Sequence, residues 1–313
     1  MPDRPLIVML AAGCFALAGC ETVPTAPETA TPPAPPPVKP VEKVAEAPPA
    51  PPPAAPGKSA DPAPDPTYGR IGDRVFEPTI GQEGRDVVWV PTPPVLVEYM
   101  LDMAKVTPKD FVMDLGSGDG RNVIAAARRG AQALGVEYNP DMVELSRRNA
   151  EREGVSDRAK FVQGDMYEAD ISKASVLALF LLPENLRRLT PKFLDLRPGS
   201  RIVSNGFQIE GWDYDQTGRT EGNCGSWCTA YLYIVPAKVA GTWRMPQGTL
   251  TLKQDFQKVK GTLSSGGKTL PVEGRLTGEI ITFTAGGAKY EGRVNQDVIL
   301  GSGAAWSATR VKP

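Results

Sequence analysis

DLGSGDGRNVIAAARRG, residues 114–130, is the stretch whose reading decides the fold. An apolar run, DFVMDL (110–115), leads into glycines at 116, 118 and 120, and a helical pattern follows that Gly130 stops in the usual C-terminal position. Strand, glycine turn and helix open a βαβ unit. Outward from it the alternation continues. AQALGVEY (131–138) reads as a second strand, and NPDMVELSRRNAEREG as a helix with Asn139 as N-cap, Pro140 at its first position and Asp141 in its first turn. KFVQGD, SVLALFLLP and SRIVSNGF give a third, fourth and fifth strand, with the helix ENLRRLTPKFLDL between the last two. Helix-separated strands predict an α/β fold, a doubly wound, mainly parallel sheet covered on both faces. CTAYLYIVP (228–236) is expected to add an antiparallel edge strand.

A sheet of this kind binds its ligand beyond the carboxyl ends of the strands, next to the first one. The turn there is not G-x-G-x-x-G: Arg121 stands where the last glycine of a dinucleotide fingerprint belongs. Asp114 puts a carboxylate ahead of the first glycine, and Glu137 ends the second strand at the distance expected for a ribose contact. A ligand with a ribose, a cationic end and no pyrophosphate fits this set, which points to S-adenosylmethionine. The turn Gly116, Ser117, Gly118 would then offer backbone N–H groups to the ligand carboxylate, and Asp114 would face its ammonium. Glu137 would take the ribose hydroxyls and Asp165 the adenine amino group, with Tyr138 and Met166 against the ring.

DLGSGDGRNVIAAARRG followed by GVEYNP (135–140) resembles the seven-strand class I methyltransferases, so the sheet is expected to be Rossmann-like. With VWVPTPPVLVEYML (88–101) ahead of the first strand, the chain resembles more closely the lysine methyltransferase family of the ATP synthase c-subunit enzyme and its bacterial relatives. The likeness covers about residues 75–236 and implies methyl transfer to a protein lysine. Two other readings stand beside it: a small-molecule or lipid acceptor, and a non-catalytic binding module of the cell envelope that keeps the fold.

Methyl transfer from a sulfonium is an in-line displacement, served by alignment and exclusion of water. A lysine acceptor must first be neutral. From a free pKa near 10.4, holding it so at pH 7 costs on the order of 4 to 5 kcal/mol, part of which an apolar channel supplies. The chain has no histidine, so a base must be a carboxylate, a tyrosine or water. Candidates for the channel are Trp89, Tyr99, Phe207 and Trp212, and the candidate catalytic residues are Glu184 and Asn185, just after the fourth strand.

The chain's two ends differ from its middle. MPDRPLIVMLAAGCFALAGC (1–20) carries Arg4, a short apolar run and LAGC, which resembles a bacterial lipobox. That likeness implies cleavage before Cys20, acylation of Cys20 and, through Glu21, the periplasmic face of the outer membrane. Between residues 22 and 66 fall 17 of the 32 prolines. Residues 21–66 are therefore expected to be a disordered spacer. The methyltransferase-like region is expected over 67–236. From 237 to 313 helical periods vanish, and short alternating runs such as TLTLKQDF and EIITFTAGG predict a small antiparallel β domain, a meander or barrel in which a ligand cavity is one option. Net charge of −1 argues against a nucleic-acid partner. Two cysteines outside the signal and no histidine argue against a zinc site. Cys224 and Cys228 stay open between a disulfide and two reduced thiols.

Overall fold

A computed structural model of the chain describes residues 76–85 and 88–312, which lie in one unit, Arg70–Pro313. The expected signal, Cys20 and the proline-rich spacer lie outside the described residues. The α/β layer runs α1 (Pro94–Met103), β1 (Phe111–Leu115), α2 (Arg121–Arg128), β2 (Gln132–Glu137), α3 (Pro140–Arg152), β3 (Ala159–Gln163), β4 (Val176–Leu179), α4 (Pro183–Leu194), β5 (Arg201–Asn205), β6 (Gln216–Arg219) and β7 (Thr229–Ile234). These strands form one sheet in the order β3-β2-β1-β4-β5-β7-β6, parallel from β3 to β5 and antiparallel across β7 and β6. The expected edge strand 228–236 is therefore second from the edge. The true edge is the polar QTGR of β6, which carries no apolar period and was invisible in the sequence.

Alternation along each strand splits the core between the two faces. Val112, Val176 and Ala178 join the α1, α2 and α3 side with Val123, Ala126 and Phe161. Met113, Leu177 and Leu179 join the α4 side with Leu186, Leu189 and Phe193. The Asn139 side chain accepts from the Asp141 N–H at 2.9 Å, which starts α3 where the Asn-Pro pair predicts.

Asp110 ties the lower ends of three strands together. Its carboxylate accepts from Thr107 N (2.8 Å), Thr107 Oγ1 (2.9 Å) and Ser175 Oγ (2.7 Å) and pairs with Arg201. Burial opposes its charge, but the Ser175 and Thr107 hydrogen bonds and Arg201 together outweigh burial and hold the carboxyl below its ordinary value. This contribution is present above the unfolded value of 3.8 and is lost as pH falls through the lowered native one. Asp110→Asn is expected to cost about 2 kcal/mol at pH 7 in urea denaturation. The gap between variant and wild type should close as pH falls below 4.

The C-terminal region is a closed barrel of eight antiparallel strands: β8 (Gly241–Met245), β9 (Gly248–Asp255), β10 (Lys258–Ser265), β11 (Lys268–Thr277), β12 (Ile280–Ala285), β13 (Ala288–Asn295), β14 (Val298–Gly301) and β15 (Ser307–Arg310). Each strand pairs with the next, and β15 closes on β8. Two-residue turns such as Gly266-Gly267 and Gly286-Gly287, all at positive φ, match the strand twist. Trp243, Leu250, Val259, Leu263, Leu276, Ile281, Phe283 and Ile299 fill the interior. These side chains pack the barrel interior as a core. Phe256 of the barrel stacks on Trp212 (ring centroids 5.4 Å), which is 2% exposed and also touches Tyr233. Trp212, expected in an acceptor channel, is core between barrel and sheet.

Candidate functional site

The site grows from the end of β1. Gly116, Gly118 and Gly120 all have positive φ (74°, 55° and 85°), so the chain coils tightly before α2 begins. The N–H groups of Gly116 and Ser117 donate to the Val136 carbonyl (2.8 and 3.1 Å), and that of Gly118 donates to Glu137 Oε2 (2.9 Å). These donors brace the turn against β2 and do not face a ligand carboxylate as expected from the sequence. Glu137 also accepts from Asn139 N (3.0 Å). A carboxylate has about four lone-pair sites, so two remain for hydroxyl donors. Trp89 lies close against the turn: a Cβ on Gly118 would come 2.7 Å from its Nε1.

Asp114 is buried beneath this turn, accepting from Asn122 Nδ2 at 3.0 Å. Burial pushes its carboxyl well above the ordinary range, the Asn122 bond works against that, and Glu137 and Asp119 add to it. Ser117 Oγ and Asn122 Oδ1 are buried with no hydrogen-bond partner. A buried carboxylate beside two unmatched oxygens is the donor-hungry set that an α-ammonium satisfies. They line a recess of about 320 Å³, counting its open side, with Thr92, Trp89 and Phe180.

A second recess, of about 740 Å³ counting its open side, extends past the ends of β2 and β3. Val136, Glu137, Tyr138, Asp165, Met166 and Leu181 line it. The expected adenosine residues are thus brought together. Asp165 accepts from Tyr167 N (2.8 Å) and pairs with Arg85 (2.9 Å), whose guanidinium lies 4.4 Å from the Tyr138 ring centre. The irregular segment bearing Arg85 folds over the recess and is pinned where Gly81 N donates to Trp89 O and Trp89 N to Gln82 O (both 2.9 Å). No sequence pattern marks Arg85, because its partner is 80 positions away. Trp89, Val90, Gly116 and Phe180 line both recesses, so the two meet there. Phe180, which the sequence reading missed, follows β4 directly and is recognisable only by that position.

The other candidates separate. Glu184 is exposed in the first turn of α4, pairs with Arg187 (2.5 Å) and lines neither recess. Arg187 lowers the Glu184 carboxyl pKa. Asn185 is buried, donates to Tyr167 Oη (2.7 Å) and lines neither recess. Tyr99 packs over Gly218 of β6, away from both recesses. Phe207 contacts Phe180 (6.3 Å) and Trp227 (5.5 Å). Glu184→Ala is expected to leave kcat/KM within about twofold of wild type, since an exposed pair separated from the reacting atoms contributes little. Steady-state kinetics check it, and a loss of 100-fold would restore Glu184 as a catalytic group.

Comparison with known proteins agrees with this geometry. The ANTKMT methyltransferase domain family matches residues 114–216, ending before the barrel. The protein-lysine N-methyltransferase of Saccharolobus islandicus (strain REY15A) is 42% identical over 153 residues, covering 48% of this chain and 94% of that protein. The Rattus norvegicus lysine N-methyltransferase for the ATP synthase c-subunit is 39% identical over 107 residues, 34% of this chain and 50% of that protein, so the match spans half of that relative's length. Among solved structures, an RNA methyltransferase from Salinibacter ruber in complex with S-adenosyl-L-homocysteine is 44% identical, with a TM-score of 0.45, over 48% of this chain and 96% of that one. A glycine turn over a buried carboxylate, an acidic end to β2 and a match across nearly the whole of a 42% identical relative lead to one assignment: the chain belongs to the ANTKMT-type family of S-adenosylmethionine-dependent methyltransferases.

Proposed function

We propose that this methyltransferase acts on a lysine side chain of another envelope protein. The observation that carries the reading is the meeting of the two recesses at Phe180, where a polar pocket for a cationic amino acid and a wider one for a nucleoside share an aromatic wall. Asp114, with Asn122 Oδ1 and Ser117 Oγ, would hold the ammonium of S-adenosylmethionine, Glu137 its ribose hydroxyls, and Tyr138, Asp165 and Met166 its base. The bound cofactor supplies an electrophilic methyl group on a sulfonium.

The protein's own part is to align the acceptor nitrogen and keep water and positive charge away from it. Phe180 and Trp89 present apolar surface at the junction. That surface disfavours the ammonium form of an entering lysine and so shifts it toward the neutral amine. With no histidine in the chain, the displaced proton passes to a carboxylate, a tyrosine or water. The lysine-modifying relatives support this acceptor class, and the LAGC lipobox with its proline spacer supports a tether through an acylated Cys20, facing the periplasm from the outer membrane.

The test incubates the full chain with methyl-labelled S-adenosylmethionine and an envelope fraction from cells lacking the protein. Mass spectrometry should then find Nζ-methyl-lysine on a defined protein. Label found only in lipid or in small molecules would overturn the lysine reading. In the host, Cys20→Ser should move the protein from the membrane to the soluble envelope fraction, and unchanged partitioning would remove the anchor.

A further inference from the structure

Three aromatic residues meet beside the junction of the recesses: Phe180, Phe207, which the sequence offers for the acceptor channel, and Trp227. Phe180 and Trp227 lie edge to face with ring centroids 5.0 Å apart, and Phe207 touches both (6.3 and 5.5 Å). A cluster of three large rings in mutual contact is ordinarily core. Here each ring is only partly buried, so the cluster keeps some exposed surface.

Trp227 is held there by two local devices. Residues 224–228 form a short loop closed by the Cys224–Cys228 disulfide, with Trp227 N donating to the Cys224 carbonyl (2.9 Å). Closing so short a loop restrains little of the unfolded chain, so the bridge acts mainly on local geometry. Opposite the indole stands Gly206, at the end of β5. A Cβ there would lie 2.9 Å from Trp227 Cε3, so only a bare backbone lets the ring lie this close.

Partly exposed aromatic faces next to a methyl-transfer junction attract a cation and remain favourable as its hydrogens are replaced by methyl groups. We propose that Phe207 and Trp227 form an outer mouth that receives the acceptor's alkylammonium before it loses its proton at the junction, which Phe180 joins to the mouth, with Trp227 as a specificity-determining residue and the Cys224–Cys228 bridge as the element that positions it. This rests on the lysine reading above for the acceptor's chemistry, while the mouth itself rests on the ring geometry.

The experiment uses the full chain saturated with S-adenosylhomocysteine and, as probe, Nα-acetyl-Nζ-trimethyl-lysine methyl ester, followed through its N-methyl resonance by saturation-transfer NMR. Trp227→Ala should weaken the probe about tenfold, Trp227→Phe should restore most of that, and the Cys224→Ser/Cys228→Ser double variant should fall between them. S-adenosylhomocysteine affinity should stay within about twofold in all three, and once the acceptor is isolated, Trp227→Ala should raise KM more than it lowers kcat. Wild-type probe affinity in Trp227→Ala overturns the proposal. Parallel loss of S-adenosylhomocysteine binding also overturns it, because Trp227 would then only support the fold. Failure of the lysine reading is distinct: the envelope assay would lack methyl-lysine while probe binding stayed dependent on Trp227.

Discussion

Asp114→Ala is expected to raise the dissociation constant for S-adenosylmethionine by about two orders of magnitude, because it removes the buried counter-charge to the ligand's ammonium. The fold should survive: Asn122 Nδ2 keeps the Ala178 carbonyl (3.4 Å) as a partner. Losing the buried carboxyl also removes a charge-burial penalty, which offsets part of the lost Asn122 hydrogen bond in the ligand-free protein. Since the native carboxyl is held well above 3.8, the folded state binds the proton more tightly than the unfolded chain does. Its stability therefore falls as pH rises from the unfolded value through the raised native one, and stays lower above that. In Asp114→Ala this fall is absent. A bound ammonium offsets the same penalty, so the rise in melting temperature caused by ligand in wild type should grow with pH over that window. Calorimetric titration and thermal melts across pH check both halves. Unchanged affinity in the variant would show that the buried carboxylate serves the fold and not the ligand.

Gly120→Ala is expected to act on stability, at a cost of about 2 to 5 kcal/mol. Two contributions add. At φ 85° an L-residue is strained by roughly 1 to 2 kcal/mol. The new Cβ would also stand 2.7 Å from Phe161 Cε1 and Cζ and 3.0 Å from Ser146 Cβ, and relieving such a clash costs about 1 to 3 kcal/mol. Phe161 belongs to β3 and Ser146 to α3, so neither can move without disturbing the packing of α2 on the sheet. Urea denaturation measures the loss, and a value below about 1 kcal/mol would mean that the turn yields more than its close packing implies. The three glycines therefore have separate duties. Gly120 packs the helix onto the sheet, Gly118 accepts Trp89, and Gly116 lines the junction of the two recesses.

What the amino-acid sequence determined by itself is whatever depends on near neighbours. Short apolar runs give β1 to β5, the Asn139-Pro140 pair starts α3, and glycines at alternate positions coil the turn after β1, because dihedral preference and capping act within a few residues. The same logic located Asp114, Glu137 and Asp165, since in a doubly wound sheet the ends of neighbouring strands converge. Tertiary structure alone decided the rest. Arg85 closes on Asp165, Trp227 reaches Phe180, QTGR becomes an edge strand by pairing with β7, and β15 closes the barrel on β8. It also took Trp212 and Tyr99 out of the acceptor channel and tied the turn's N–H groups to β2. Each of these contacts joins residues remote in the chain or distinguishes a core aromatic from one at an opening. Such choices are made by which surfaces the assembled sheet and barrel leave to be covered, a property that no single segment carries.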